Sequence, residues 1–223
     1  MDFVMETVNY YTAKDSNGES IYDVWERGGA LGNSITPSTY DEKYRNWMLN
    51  LILNRSKITN RLKILSLGCG NASIEELLVK AGHQVTAFDI NEEAVQYAKS
   101  KGVDAMVCNL NEWDPIKESY DLVYCDGILG HLLDPINGFE TLFNKILTSL
   151  KFGGMVMISN DASELSQDIQ IHPDLPSFYW FSDSYLKNQL EGSNFTGIET
   201  LSYLYNRPLT GKKNRLIALG YKK

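Results

Sequence analysis

The chain has 223 residues, 43% hydrophobic and 22% charged, with a formal net charge of −7. That suits one domain with additions and excludes global disorder. The acidic balance argues against nonspecific nucleic-acid binding, which needs clustered Lys and Arg, and no stretch nears the ~20 apolar residues that span a bilayer.

Residues 1–60 are aromatic and polar, with turn signals at Asn17-Gly18, Gly28-Gly29 and Gly32-Asn33. They are expected to form an N-terminal helical and aromatic cover. Thr39 is expected to cap a helix through Tyr40, Arg45, Leu49 and Ile52, whose apolar residues recur at helical spacing. Residues 61–223 read as one domain. A strand from Lys63 to Leu67 leads to a helix from Ser73 to Ala81, ended by Gly82. A strand from Val85 to Asp89 leads to a helix from Glu92 to Lys101, capped by Asn91 and stopped at Gly102. Strands follow at Ala105 to Asn109 and Leu122 to Cys125, then a helix from Gly138 to Leu150. Gly153-Gly154 is expected to turn the chain into a strand from Met155 to Ser159. Strand–helix units joined by short turns imply a parallel sheet with helices on both faces, a doubly wound α/β fold.

After Ser159 the rhythm breaks. Residues 160–181 carry Pro173, Pro176, Tyr179, Trp180 and Phe181 without a clear period, which is expected of a lid-like insertion. Ser182-Asp183 starts a helix to about Gly192. Two β-rich stretches, near Gly197 to Tyr205 and Arg215 to Gly220, read as a hairpin. Arg207, Lys212, Lys213, Arg215, Lys222 and Lys223 crowd this end and are expected to be solvated charges. Cys69, Cys108 and Cys125 are far apart and form no C-x-x-C, which suggests a reducing, cytoplasmic compartment and no metal site.

The densest signal is Ile64-Leu65-Ser66-Leu67-Gly68-Cys69-Gly70-Asn71-Ala72-Ser73. A buried-type strand enters two glycines and then a helix, and Asp89 ends the next strand 19 residues beyond Gly70. Glycines let the backbone approach a nucleotide-type ligand, and an acid at the next strand's end meets the ribose hydroxyls. A dinucleotide fingerprint wants a third glycine where Ser73 stands. Asn109-Leu110 could bond and sandwich an adenine.

With the loop Leu67-Gly68-Cys69-Gly70-Asn71, Phe88-Asp89-Ile90, Cys108-Asn109-Leu110, Tyr120-Asp121-Leu122-Val123-Tyr124-Cys125, His131-Leu132 and Leu150-Lys151-Phe152-Gly153-Gly154, the chain resembles the class I S-adenosylmethionine-dependent methyltransferases. The resemblance covers about residues 62–160. It implies a Rossmann-like sheet of seven strands, mostly parallel, with the last antiparallel, and S-adenosyl-L-methionine as cofactor. It departs from the family at Ser66 or Leu67, often acidic there, and at Asn109, often Asp. The residues expected to hold the cofactor are Gly68, Cys69, Gly70, Asp89, Ile90, Asn109, Leu110, Cys125, Asp126 and, from the cover, Tyr11.

Methyl transfer from a sulfonium is mainly alignment, and a base helps when the acceptor is a hydroxyl or protonated amine. His131 and His172 are the candidate bases, while His83, at the opposite sheet edge, reads as structural. Asp126, Asp161 and Glu164 near strand ends could neutralise the sulfonium side or hold an amine. Tyr10, Tyr11, Tyr22, Trp25 and Tyr40, with Phe178 to Phe181, suit an aromatic box. The expected activity is methylation of an oxygen or nitrogen of a small organic acceptor. A peptide or tRNA acceptor, or a non-catalytic binding protein on the same fold, stay open.

Overall fold

The computed structural model describes residues 3–30, 36–56, 60–165, 167–173, 175 and 178–223. The expected turn at Gly32-Asn33 and the Pro176 position lie outside the described residues. A seven-stranded sheet carries the chain, in the order β3-β2-β1-β4-β5-β9-β8. Its strands are β1 (Lys63–Leu67), β2 (Gln84–Asp89), β3 (Asp104–Val107), β4 (Tyr120–Asp126), β5 (Leu150–Asp161), β8 (Thr196–Arg207) and β9 (Gly211–Tyr221). The pairs from β3 through β5 are parallel, and β9 runs antiparallel between β5 and β8.

Strand alternation sorts the side chains into two cores. On one face Ile64, Leu122 and Tyr124 meet α3 (Glu42–Arg55), α4 (Ser73–Lys80) and α5 (Glu92–Ser100) through Met48, Leu78 and Val95. On the other, Leu65, Val123 and Cys125 meet α6 (Glu140–Ser149) and α7 (Asp183–Gly192) through Phe143, Ile146 and Leu190. Strands covered on both faces read as continuous apolar runs, as parallel strands do. The order reverses between β1 and β4, the switch point where such sheets open a crevice at their carboxyl ends.

Four local expectations are corrected. Asp41, not Thr39, caps α3, accepting from the Lys43 and Tyr44 amides; Thr39 sits in a short 3-10 turn, Pro37–Thr39, where its hydroxyl donates to the Thr36 carbonyl. Gly153-Gly154 lies inside β5: Tyr120 pairs with Leu150 but Leu122 with Met155, so the glycines belong to a bulge. β3 ends at Val107, leaving Asn109 beyond the strand. Within 160–181, β6 (Ile169–Ile171) and β7 (Tyr179–Phe181) form a two-stranded ribbon; strands of three residues are too short to show a period.

The N-terminal part carries α1 (Phe3–Thr12) and α2 (Ile21–Glu26). Ser20 caps α2 in a capping box with Asp23 and also donates to Glu93 on α5 at 2.6 Å. Tyr97 donates to Asp23, and Lys101 pairs with Glu26 at 2.6 Å. These contacts seat α2 on α5, beside the carboxyl edge of β2. α3 belongs instead to the sheet, with Tyr44, Met48 and Ile52 fully buried in its core.

Candidate active site

β1 ends in the loop that enters α4. The Gly68 and Cys69 amides both donate to the Phe88 carbonyl, at 2.8 and 3.1 Å, which folds the loop over the end of β2. Gly68 and Gly70 have φ of +70° and +53°, a region where side chains are strained. A Cβ at 68 would stand 2.7 Å from Ile128, and one at 70 would stand 3.4 Å from the Trp25 ring. Asp89 answers from β2: its carboxylate accepts from the Gly70 amide and the Asn91 amide, both at 2.9 Å. Burial raises the Asp89 pKa while these amide bonds oppose the rise.

The loop and Asp89 open onto a cleft of roughly 1020 Å³, open solvent at its mouth included. Gly68, Cys69, Gly70, Asp89, Ile90, Asp126, Tyr11, His131 and His172 all line it. Strand alternation points Tyr124 and Asp126 of β4 to this side and Cys125 to the other. Cys125 is therefore in the α6 core, not in the cleft wall. Asn109 and Leu110 do not line the cleft either. The Asn109 side chain donates to Glu112 and accepts from the Asn111 amide, and Leu110 packs in the core with Phe88 and Trp113. His83 accepts from the Leu62 amide, a structural contact.

The floor is an ion network that the sequence reading missed. Arg207 and Arg215, expected to be solvated, are 4% and 1% exposed. Arg215 donates to Asp161 at 2.9 Å, to the Ser159 hydroxyl at 2.7 Å and to Asp126 at 2.5 Å. Arg207 pairs with Asp161 and donates to the Tyr205 hydroxyl. Burial works against the Arg215 charge, but Asp126 and the facing tyrosines outweigh it and its pKa rises. Burial, with Arg215 beside it, takes Arg207 down to about 10. Glu164, in contrast, pairs with Lys213 away from this floor. The available signal was Arg215 at the head of the apolar run Leu216 to Leu219, which carries it into the sheet between β5 and β8.

Glu75 was missed as well. It shares the buried face of α4 with Ile74 and Leu78, lines the cleft, and accepts from the Ser66 hydroxyl at 2.5 Å. Burial pushes its carboxyl up to about 7. A carboxyl raised in the folded state carries no penalty below its unfolded pKa of 4.5. The penalty grows as pH rises to about 7 and then stays constant. At ~1.4 kcal/mol per pKa unit it reaches about 3 kcal/mol. Urea unfolding without ligand should therefore find Glu75→Gln more stable than the native chain by about 1–3 kcal/mol at pH 8 and equal near pH 4.5. Equal stability at both pH values would show that the carboxyl is not raised.

Aromatic groups form the wall. Tyr11 lies 6.1 Å from Trp25 and 5.7 Å from His131, ring centre to ring centre. Its hydroxyl meets His131 Nε2 at 3.1 Å, joining α1 to the segment after β4. Phe178 lies 4.6 Å from His131 and 5.8 Å from His172, between the two imidazoles. Burial, then the neighbouring His172, lowers the His131 pKa to about 4, so its ring is neutral at pH 7. Among the described residues His131 Nδ1, Trp25 Nε1, Asn91 Nδ2 and Asp126 Oδ2 are buried without a hydrogen-bond partner, and all four residues line the cleft.

The sequence model of a methyltransferase domain matches residues 40–200, well over half of the chain. The chain belongs to the class I S-adenosylmethionine-dependent methyltransferases. A tabtoxin biosynthesis enzyme of Pseudomonas amygdali pv. tabaci is 35% identical over 218 residues, 95% of this methyltransferase and 85% of the relative. A ubiquinone biosynthesis O-methyltransferase of Hydrogenovibrio crunogenus is 29% identical over 144 residues, 60% of this chain but only 54% of the relative. Among solved structures, the 1,6-didemethyltoxoflavin-N1-methyltransferase of Burkholderia thailandensis superposes with a TM-score of 0.66 at 21% identity, covering 99% of this chain and 87% of that one. The magnesium protoporphyrin IX methyltransferase of Synechocystis PCC 6803 gives 0.68 at 18% identity, covering 100% and 98%. At those identities the likeness is one of fold. The methyltransferase cleft has the attributes a nucleoside sulfonium needs: a glycine cradle that a Cβ would fill, an acid at the β2 end, and orphaned polar atoms along the wall.

Proposed function

We propose that this methyltransferase transfers a methyl group to an oxygen or nitrogen of a small organic acceptor. One observation carries the reading: a single cleft joins the glycine loop and Asp89 to His131, His172 and Phe178, so donor and acceptor would share one enclosed space. Relatives named for O-methylation in ubiquinone biosynthesis and N1-methylation of 1,6-didemethyltoxoflavin support a small acceptor.

When bound, S-adenosylmethionine supplies an already electrophilic methyl group. Gly68, Cys69 and Gly70 would cradle the donor, Asp89 would take the ribose hydroxyls and Ile90 would pack against the nucleoside, while Asn109 and Leu110 support the end of β3 from outside the cleft. Asp126, its Oδ2 without a partner, accepts from a ligand N–H. Cys125 contributes through the strand that positions Asp126. Tyr11 clamps the neutral His131 as an orienting group; an imidazole with a pKa near 4 is a poor base at neutral pH. His172 is the group assigned to take a proton from an acceptor hydroxyl or ammonium. Within 1–60, α1 and α2 act as the cover of a domain spanning 61–223 while α3 packs into its core, and 160–181 act as the lid, excluding water around the aromatic wall. We also propose a cytoplasmic location, since all three cysteines are unpaired.

The test is transfer of labelled methyl groups into a fractionated cell extract. Label in low-molecular-weight organic compounds is expected; label confined to protein or tRNA overturns the small-acceptor reading. Asp89→Ala should weaken S-adenosylhomocysteine by about 1–3 kcal/mol, through lost ribose bonds and a loosened Gly70 amide. Calorimetry giving equal affinities for both proteins would remove Asp89 from the site.

A further inference from the structure

We propose that Glu75 makes the cleft sense the charge of its donor ligand, so that it favours the sulfonium, S-adenosylmethionine, over the uncharged thioether, S-adenosylhomocysteine. This rests on the donor-binding reading above and goes beyond it by assigning a residue that tells substrate from product.

Glu75 is 4% exposed and lines the same cleft as the glycine loop. Its polar support is the Ser66 hydroxyl and its own backbone amide. Among the described residues no Lys or Arg forms an ion pair with it; Lys101, the cation that faces it, is paired with Glu26 and donates to the Asn71 carbonyl. The other facing groups are Asp126 and Tyr124 from β4 and Cys69 from the loop. Asp126 and Asp161 have Arg215 and Arg207. Asp89 has backbone amides to hold its charge. Among the described residues Glu75 is thus a buried carboxyl in the cleft wall with no ion-pair partner, its nearest cation being Lys101, which is already paired with Glu26.

The two ligands share adenosine, amino and carboxylate groups and differ by one methyl and one positive charge. Titration of the shared groups therefore cancels in the ratio of their affinities. A permanent cation in a low-dielectric cleft stabilises a carboxylate there; a neutral sulfur does not. With the carboxyl near 7, sulfonium binding at neutral pH should expel more of a proton from Glu75 than thioether binding, which brings the shared ammonium alone. A ligand that has lost its charge is then held less tightly, which favours its departure.

Titration calorimetry of both ligands between pH 6 and 8, in buffers of different ionisation enthalpy, tests this. The native chain should show its S-adenosylmethionine to S-adenosylhomocysteine affinity ratio rising about tenfold over that range, with greater proton release on binding the sulfonium than the thioether. In Glu75→Gln, which keeps an acceptor for Ser66, the ratio should be flat and about tenfold lower at pH 8, with thioether affinity retained. Ser66→Ala removes the hydrogen bond to the charged form, so it should move the midpoint to higher pH. A flat ratio in the native chain, or a pH-dependent ratio surviving in Glu75→Gln, overturns the proposal. Should Glu75→Gln fail to fold, the native profile and Ser66→Ala decide the matter. Failure of the native chain to bind either ligand overturns the donor-binding reading itself, and this proposal with it.

Discussion

Arg215→Met should lower the unfolding free energy by about 3–5 kcal/mol, among the larger single-site effects available in this chain. The guanidinium is fully enclosed and bridges Asp126, Asp161 and Ser159. Met fills similar volume but leaves two carboxylates buried. Asp161 keeps Arg207 and the Tyr205 hydroxyl. Among the described residues Asp126 keeps no partner, since its other oxygen already lacks one. Adding Asp126→Asn to Arg215→Met should restore part of the loss, because the stranded group is then neutral. Arg215→Lys should rescue poorly, since one ammonium cannot reproduce a planar fork with three partners. Urea unfolding at pH 7 measures all three. A loss below about 1 kcal/mol for Arg215→Met would mean that water reaches the cluster and that the floor is not a desolvated ion network.

Gly70→Val should reduce S-adenosylhomocysteine affinity by roughly a thousandfold or more, with a far smaller effect on the fold. At φ +53° a β-branched side chain is strained by about 1–2 kcal/mol. In a chain of this size that corresponds to a melting shift of about 2–8 °C. The cost to binding is larger. The added Cβ would already touch Trp25 at 3.4 Å, so the two methyls must enter the space between the loop and α2. They would also disturb the amide that Asp89 accepts, so cradle and ribose anchor fail together. Calorimetry alongside thermal unfolding separates binding from folding. Normal affinity in a folded Gly70→Val protein would make the loop a turn and nothing more. Gly68 is less suitable for this test, because a Cβ there would collide with Ile128 at 2.7 Å and damage the core.

The alternating strands and helices from Lys63 to Ser159 were legible because most strands are short apolar runs closed by a turn residue, and each helix repeats its apolar residues at helical spacing, although only α5 among them has a side-chain cap. Asn91 and Ser182 cap as expected, since a side chain bonding an amide two or three residues ahead is local chemistry. The glycine loop and Asp89 were legible for a related reason: backbone that must adopt positive φ selects glycine, and the β2 end selects what faces the loop.

Contacts between distant segments were not legible. Nothing near Arg215 in the sequence says that Asp126, 89 residues earlier, waits for it across β5 and β9. The charged hairpin read as solvated because its lysines resemble its arginines in composition, while register alone carries Arg215 inward. Glu75 stands in the first turn of α4, where acids are common, and only the packing of α4 on the sheet closes around it. The sequence by itself determined the fold class and the glycine loop with Asp89, set by local propensity and apolar period, whereas the strand order that makes the switch-point crevice is tertiary. Only the tertiary structure decided which charges are buried and what they face, because desolvation depends on neighbours from every layer and not on the residue's own surroundings in the chain.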